Sequence, residues 1–249
     1  MQNPNATDQY GTLRWFEHEY ARVSTDPWGL SWRSSQQLRY QKVLSILDCV
    51  KEPLVHAMDV GCATGDFTYL LSRQVRGLEE LTGVDFVDDA VERARHRFPQ
   101  LVFSKEPLLT IGEKYPARFD LITCLEMIYY VPSTEQGEAL RSLKGALRPG
   151  GYVVFSSMIS PPPYFQPLQF RELVESEFEI IRCEVLHLRM ISLFEKAGAR
   201  IAKLAARHNV NTYRFGRLPF RAVVTLERWS RYLKSFAASH TVVLARARS

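Results

Sequence analysis

The sequence has little from which to build a disulfide framework or a zinc site. Its four cysteines, Cys49, Cys62, Cys124 and Cys183, stand far apart and form no CxxC pair, a usage that fits a reducing compartment. No apolar run approaches the ~18–20 residues of a membrane-spanning helix. The polar start, MQNPNATDQY, has no secretory-leader core, so the expectation is a soluble, cytoplasmic protein. Neither an internal repeat nor a low-complexity tract is present, which sets aside collagen-like and disordered chains. What is there is apolar material: 46% hydrophobic and 12% aromatic residues in 249, ample for one or two domains with a real core.

Charge is unevenly placed. Residues 1–183 carry 19 basic and 24 acidic side chains, whereas residues 184–249 carry 13 basic and 3 acidic. A basic surface is thus attached to a mildly acidic body.

The middle of the chain alternates short β-rich runs with helical periodicity, the pattern of a parallel sheet with crossover helices. Strands are expected at 56–60, 81–85, 101–103, 119–125 and 151–157, and helices at 67–74, 89–97 and 134–147. Pro99 and Pro149-Gly150-Gly151 act as stops. A short helix at 168–174 and strands at 178–188 and 239–248 complete the series. The last two strands enclose about fifty residues, a length suited to a lid or subdomain. The first forty, rich in aromatic residues, read as a separate helical cap. The expected division is therefore a cap at 1–40, a core at 41–188, an insertion at 189–238 and a final core strand at 239–249.

The strongest chemical signal is Met58-Asp-Val-Gly-Cys-Ala-Thr-Gly-Asp66. An apolar strand runs into a glycine-bearing turn, and a helix follows at once. Gly61 and Gly65 let the backbone turn sharply and approach a ligand with no Cβ in the way. Asp85, at the end of the next strand, can accept both hydroxyls of a ribose, so the pattern points to a nucleoside ligand. Dinucleotide sites prefer GxGxxG. Here Ala63 replaces the middle glycine and the spacing is G-x-x-x-G, which counts against NAD or FAD.

These residues resemble a known family. Asp59-Val-Gly-Cys-Ala-Thr-Gly65 is similar to motif I of class I S-adenosylmethionine-dependent methyltransferases, and Asp85 in Gly-Val-Asp-Phe86 matches their ribose-binding acid. The run from Phe119 to Val131 looks like their fourth-strand motif, and Leu147-Arg-Pro-Gly-Gly-Tyr-Val-Val154 like the turn into the fifth strand. The resemblance implies a Rossmann-like α/β fold with sheet order 3-2-1-4-5-7-6. It also implies S-adenosyl-L-methionine as cofactor with S-adenosyl-L-homocysteine as product, and no metal. The cofactor residues it implies are Asp59, Gly61, Cys62, Ala63, Gly65, Asp85, Phe86 and Glu126. The usual acid after the third strand is missing, and Glu106 stands nearest to its place. In finer detail, Thr25-Asp-Pro-Trp28 and Glu126-Met-Ile-Tyr-Tyr-Val131 resemble the nodulation-type methyltransferases that N-methylate chitooligosaccharides. A sugar, glycan or related small-molecule acceptor is therefore expected.

Methyl transfer is an in-line displacement helped mostly by positioning. An amine acceptor needs only to be neutral, whereas a hydroxyl needs a base. Glu126, just past strand four, is the first candidate base, with cofactor or substrate orientation as its alternative. His187, near the end of strand six, is the second, against a structural role; His18 comes last. Tyr129 and Tyr130 can line the acceptor pocket or simply pack. Trp28 and Trp32 can close the pocket or pin the cap. Asp66 reads as a first-turn acid. Ser160-Pro-Pro-Pro-Tyr164 resembles a proline–aromatic motif of planar-amine methyltransferases but follows the wrong strand, and reads as a stiffened loop.

In the insertion, Arg189, Lys196, Arg200, Lys203 and Arg207 share one helical stripe. Met190, Leu193, Phe194, Ala197, Ile201, Leu204 and Ala205 share the adjoining face. A second stretch aligns Ala222, Leu226, Trp229, Leu233 and Phe236. Three uses compete: an apolar side covering the core or active site as a lid, peripheral attachment to an anionic membrane surface holding a lipid-linked glycan, and nucleic acid. No recognised nucleic-acid-binding motif supports the last, which ranks third. Rival functions are an RNA or protein methyltransferase docking through these helices, and a non-catalytic subunit that keeps the fold. No feature of the sequence bears on oligomeric state.

Overall fold

The structure, a computed structural model, describes residues 10–22, 26–205 and 218–248. Thr25 and Arg207 lie outside the described residues, as do the side chains at positions 199–205, Arg200 and Lys203 among them. Helices α1 (Leu13–Arg22) and α2 (Ser34–Ile46) lead into β1 (His56–Val60), α3 (Asp66–Gln74), β2 (Glu80–Asp85), α4 (Asp88–Arg97) and β3 (Val102–Lys105). Then come α5 (Ile111–Lys114), β4 (Phe119–Leu125), α6 (Gln136–Ala146), β5 (Leu147–Met158), α7 (Pro167–Glu175) and β6 (Phe178–Leu186). Helices α8 (Arg189–Ala205) and α9 (Phe220–Ser230), with a 3-10 turn at Arg231–Phe236, precede β7 (His240–Ala247).

The seven strands form one sheet in the expected order β3-β2-β1-β4-β5-β7-β6. Pairs from β3 through β5 are parallel, and β7 runs antiparallel to β5 and β6. Both faces of the central strands are buried, as helices on either side of a parallel sheet demand. Ile122, Cys124, Val153 and Phe155 point to one apolar layer with α6 and α7 residues Leu140, Leu143 and Phe170. Leu121, Tyr152 and Val154 point to the other, with Leu38 and Val43 of α2 and Leu71 of α3.

Three differences from the sequence reading have physical causes. Strand β5 starts at Leu147, because Phe119 pairs with Leu147 while Leu121 pairs with Tyr152. Pro149-Gly150-Gly151 is thereby a bulge within the strand, a place where proline and glycine are tolerated. The cap boundary expected at residue 40 falls inside α2, whose Val43 and Ile46 are fully buried. Finally, α8 and α9 bury Ile191, Glu195, Val223, Glu227 and Ser230; of the two apolar stripes, Leu226 packs on the core while Leu193, Phe194, Trp229, Leu233 and Phe236 are exposed.

Phe155 sits at the centre of the first layer, fully buried with its ring 5.6 Å from that of Phe178. Phe155→Ala should cost about 3–5 kcal/mol of stability, measurable as a lower urea midpoint with an unchanged slope.

Candidate active site

The order of the sheet reverses between β1 and β4, and a crevice opens there at the strands' carboxyl ends, where open α/β sheets bind ligands. The β1–α3 turn forms its floor. Gly61 and Cys62 donate their backbone N–H groups to the Val84 carbonyl at 2.8 and 3.0 Å, and Gly65 donates to that of Cys62 at 2.9 Å. Gly61 has φ +73°, and a Cβ there would lie 2.3 Å from Met127 Cγ; this turn needs glycine on both counts.

Asp85 locks that turn from β2. One carboxylate oxygen accepts the Ala63 N–H at 2.9 Å and the other accepts the Val87 N–H at 3.1 Å. Burial pushes Asp85 up to about 6, against the lowering effect of those bonds. Asp59 is likewise pushed up to about 6 by burial. Its two oxygens accept the hydroxyls of Thr68 at 2.6 Å and Thr123 at 2.7 Å, tying β1 to α3 and β4. Asp66 takes a bidentate pair from Arg97 at 2.6 and 2.7 Å, fixing the start of α3 against the end of α4.

Glu126 follows β4 with φ +58°, a strained conformation for a side chain of this size. Its N–H donates to the Ser156 carbonyl at 2.9 Å. The Ser156 hydroxyl donates to Oε1 at 2.7 Å, Tyr129 donates to Oε2 at 3.3 Å, and Arg39 Nη1 lies 3.0 Å from Oε1. Burial favours the neutral acid, but His240, Arg39 and Ser156 outweigh it and hold Glu126 below the usual carboxylate range. Burial pushes His240 down to about 4, so its ring is neutral near pH 7. Arg39 is then the charge that keeps Glu126 ionised. Arg39 Nε and Nη1 have no well-directed hydrogen-bond partner among the described residues.

These groups line a cavity of about 390 Å³. Asp59, Gly61, Cys62, Ala63, Asp85, Phe86, Glu126 and Tyr129 all contribute to its wall. Aromatic side chains roof it: the Tyr10 and Tyr164 hydroxyls are 2.8 Å apart, and the Tyr129 and Tyr130 rings are centred 4.5 Å apart. Trp15, Phe16 and Trp28 of the cap region complete the roof. An adjoining space of about 180 Å³ shares Gly61, Asp85, Phe86, Met127 and Tyr130, and is bounded by Glu106 and Leu108. Glu106 is paired with Lys114 and receives the Tyr115 hydroxyl at 3.2 Å. Among the described residues, no group of three His, Cys, Asp or Glu side chains is arranged to hold a metal ion.

The family model of nodulation protein S matches residues 14–160, more than half of the chain. The chain belongs to the NodS family. Nodulation protein S of Rhizobium tropici is 32% identical over 137 residues, covering 54% of this chain and 56% of that protein. A ubiquinone biosynthesis O-methyltransferase of Idiomarina loihiensis is 32% identical over 105 residues, 41% of each chain. The matches thus span about half the length of these curated relatives. In fold the chain resembles the N-methyltransferase NodS from Bradyrhizobium japonicum WM9, solved in complex with S-adenosyl-L-homocysteine. That likeness has a TM-score of 0.65 at 17% identity and covers 96% of this chain and all of the other. The architecture is that of a class I methyltransferase.

Beside this NodS-type turn, some of the expected residues stand elsewhere. His187 does not line the cavity: β6 is the sheet's edge strand, and β7 separates it from β5. His187 lies instead by Glu227 and Arg231, with Nδ1 buried. His18 is exposed on α1, Trp32 packs under Arg33, and Gly65 caps α3 behind the wall. None of the described residues of 189–238 lines the cavity, so the part expected of a lid falls to the N-terminal segment and the loop around Tyr164. The sequence does not single out Arg39, His240 or Tyr10, and it reads Tyr164 only as the end of a stiffened loop, yet all four line the cavity.

Removing one member of a buried ion pair strands the other. Arg39→Leu should destabilise the fold by about 3–5 kcal/mol, and a second change, Glu126→Gln, should restore a large part of that loss. Urea unfolding of the two single variants and the double variant measures the coupling; additive losses would mean that the two side chains do not interact.

Proposed function

We propose that the chain is an S-adenosyl-L-methionine-dependent methyltransferase acting on a sugar, glycan or related small molecule, with an amine nitrogen as the favoured acceptor atom. One observation carries the reading. A single cavity joins the Asp85-locked glycine turn to a buried ion pair, Arg39 with Glu126.

The residues present fit the cofactor. Asp85 keeps lone pairs for ribose hydroxyls beyond the backbone bonds it accepts. The Arg39 guanidinium at the cavity wall suits the carboxylate of the methionyl end. The adjoining space by Phe86 and Glu106 suits a planar base. Bound there, the cofactor supplies an electrophilic methyl carbon. The chain's part is to position the reactants and keep water away. Ionised Glu126 and the ring faces of Tyr129 and Tyr130 form a wall that attracts a cation.

The choice of acceptor atom follows from the titrating groups. Glu126 is held ionised below its usual range and His240 is neutral down to about 4. Neither is tuned near pH 7, where a base for a hydroxyl works best. An amine needs no such base, and Glu126 then orients. This agrees with the name of the N-methyltransferase NodS neighbour. A hydroxyl acceptor is the second reading, favoured by the likeness to ubiquinone biosynthesis O-methyltransferases. The reading also includes a lipid-linked acceptor presented at an anionic membrane face.

Two results are expected. Asp85 accepts ribose hydroxyls in its ionised form. With Asp85 raised to about 6, affinity for S-adenosyl-L-homocysteine should be level above about pH 7. It should weaken as the pH drops through 6, by up to about tenfold per unit below it. Calorimetric titration across that range checks this; a flat Kd contradicts it. With methyl-labelled cofactor, an amino-sugar oligosaccharide bearing a free amine should take label while its N-acetylated form does not. Label in both would place the methyl on oxygen. Label in neither, but in nuclease- or protease-sensitive material of a host extract, would overturn the acceptor class.

A further inference from the structure

An amphipathic helix packed on a protein ordinarily turns its apolar face inward. Helices α8 and α9 pack Ile191, Val223, Val224 and Leu226 on the core but also leave large apolar side chains on the outside. On α8, Ile191 and Glu195 are buried, and the Glu195 carboxylate accepts the Ser35 N–H at 3.0 Å together with the Ser35 hydroxyl. Leu193 and Phe194, on the other side, are each 54% exposed. On α9, Val223, Glu227 and Ser230 are buried at helical spacing, while Trp229 is 69% exposed. In the 3-10 turn that follows, Tyr232 and Phe236 are 84% and 67% exposed.

Charge is sorted in the same sense. Residues 189–238 hold 11 Lys and Arg but two acidic residues, Glu195 and Glu227. Both are turned into the protein, each 2% exposed. Lys196, Arg221, Arg228 and Arg231 are exposed. The outer side is thus apolar and cationic, with every carboxylate of the segment withdrawn from it.

We propose that the outer faces of α8, α9 and the turn Arg231–Phe236 dock onto an anionic lipid bilayer. Exposed Trp, Tyr and Phe suit the headgroup level, and lysine and arginine beside them meet the negative surface potential. A second copy of the chain would bring cationic faces together, which repel. Phosphates of a nucleic acid would satisfy the charge and leave the aromatic surface in water. The surface deepens the function proposed above by naming where a lipid-linked acceptor is met. For its usefulness it rests on that reading, but for binding itself it does not.

The test uses the full chain, without methyl donor, and phosphatidylcholine vesicles with or without phosphatidylglycerol. The protein should sediment with the mixed vesicles and bind the neutral ones about tenfold more weakly or less, with binding falling as salt rises. Trp229→Ser together with Phe236→Ser changes two exposed side chains. It should weaken binding by about tenfold or more, with the urea midpoint and the affinity for S-adenosyl-L-homocysteine unchanged. Failure to sediment with mixed vesicles, or binding indifferent to the double change, overturns the proposal. So does a solution dimer that the double change converts to monomer without any vesicle binding. A chain that transfers methyl groups yet ignores vesicles removes the docking surface alone. One that docks but transfers nothing removes the reaction alone.

Discussion

The cavity depends on keeping one buried carboxylate charged. Glu126 sits where water is scarce, and its ionised form survives because the more deeply buried Arg39 lies 3.0 Å away. Much of the architecture holds that pair. Helix α2 is packed into the core on several sides, which fixes Arg39. The left-handed turn at Glu126, tied to β5 through Ser156, fixes its partner. An ion pair of this kind adds little net stability, since desolvation offsets its attraction. What it supplies is a cavity wall in which a fixed carboxylate and a guanidinium stand side by side.

The nucleoside side of the cavity follows a different economy, in which single residues do two tasks. Asp85 closes the glycine turn through Ala63 and faces the cavity as well. Gly61 is held to glycine by its own φ and by Met127 crossing above it. A change at either position therefore disturbs the shape of the turn and ligand contact together.

The sheet was legible because its strands are short, buried runs punctuated by glycine and proline, and the turn at 58–66 was legible because strand, glycines and helix are contiguous. The opposite wall was not. Arg39 lies in a helix with buried residues on nearly every side, so no stripe marks it out. His240 reaches the cavity because antiparallel β7 sets it opposite Met158 of β5, a pairing that depends on topology and not on spacing. The same register puts Leu186 on the far side of His240, which explains why His187, one residue on, is left away from the cavity. The helices at 189–238 showed their amphipathicity in sequence, but periodicity alone does not say which face turns inward. The buried Glu195 and Glu227 decide that only once the neighbouring α2 is in place.

The central claim is that Asp85 and the glycine turn hold the nucleoside of the methyl donor. Calorimetric titration of S-adenosyl-L-homocysteine into the wild-type chain and into Asp85→Ala tests it most directly. One molecule should bind per wild-type chain, and the variant, still folded by circular dichroism, should bind at least about tenfold more weakly, as expected when charge-assisted hydrogen bonds are lost. Equal affinity in the two proteins would contradict the account.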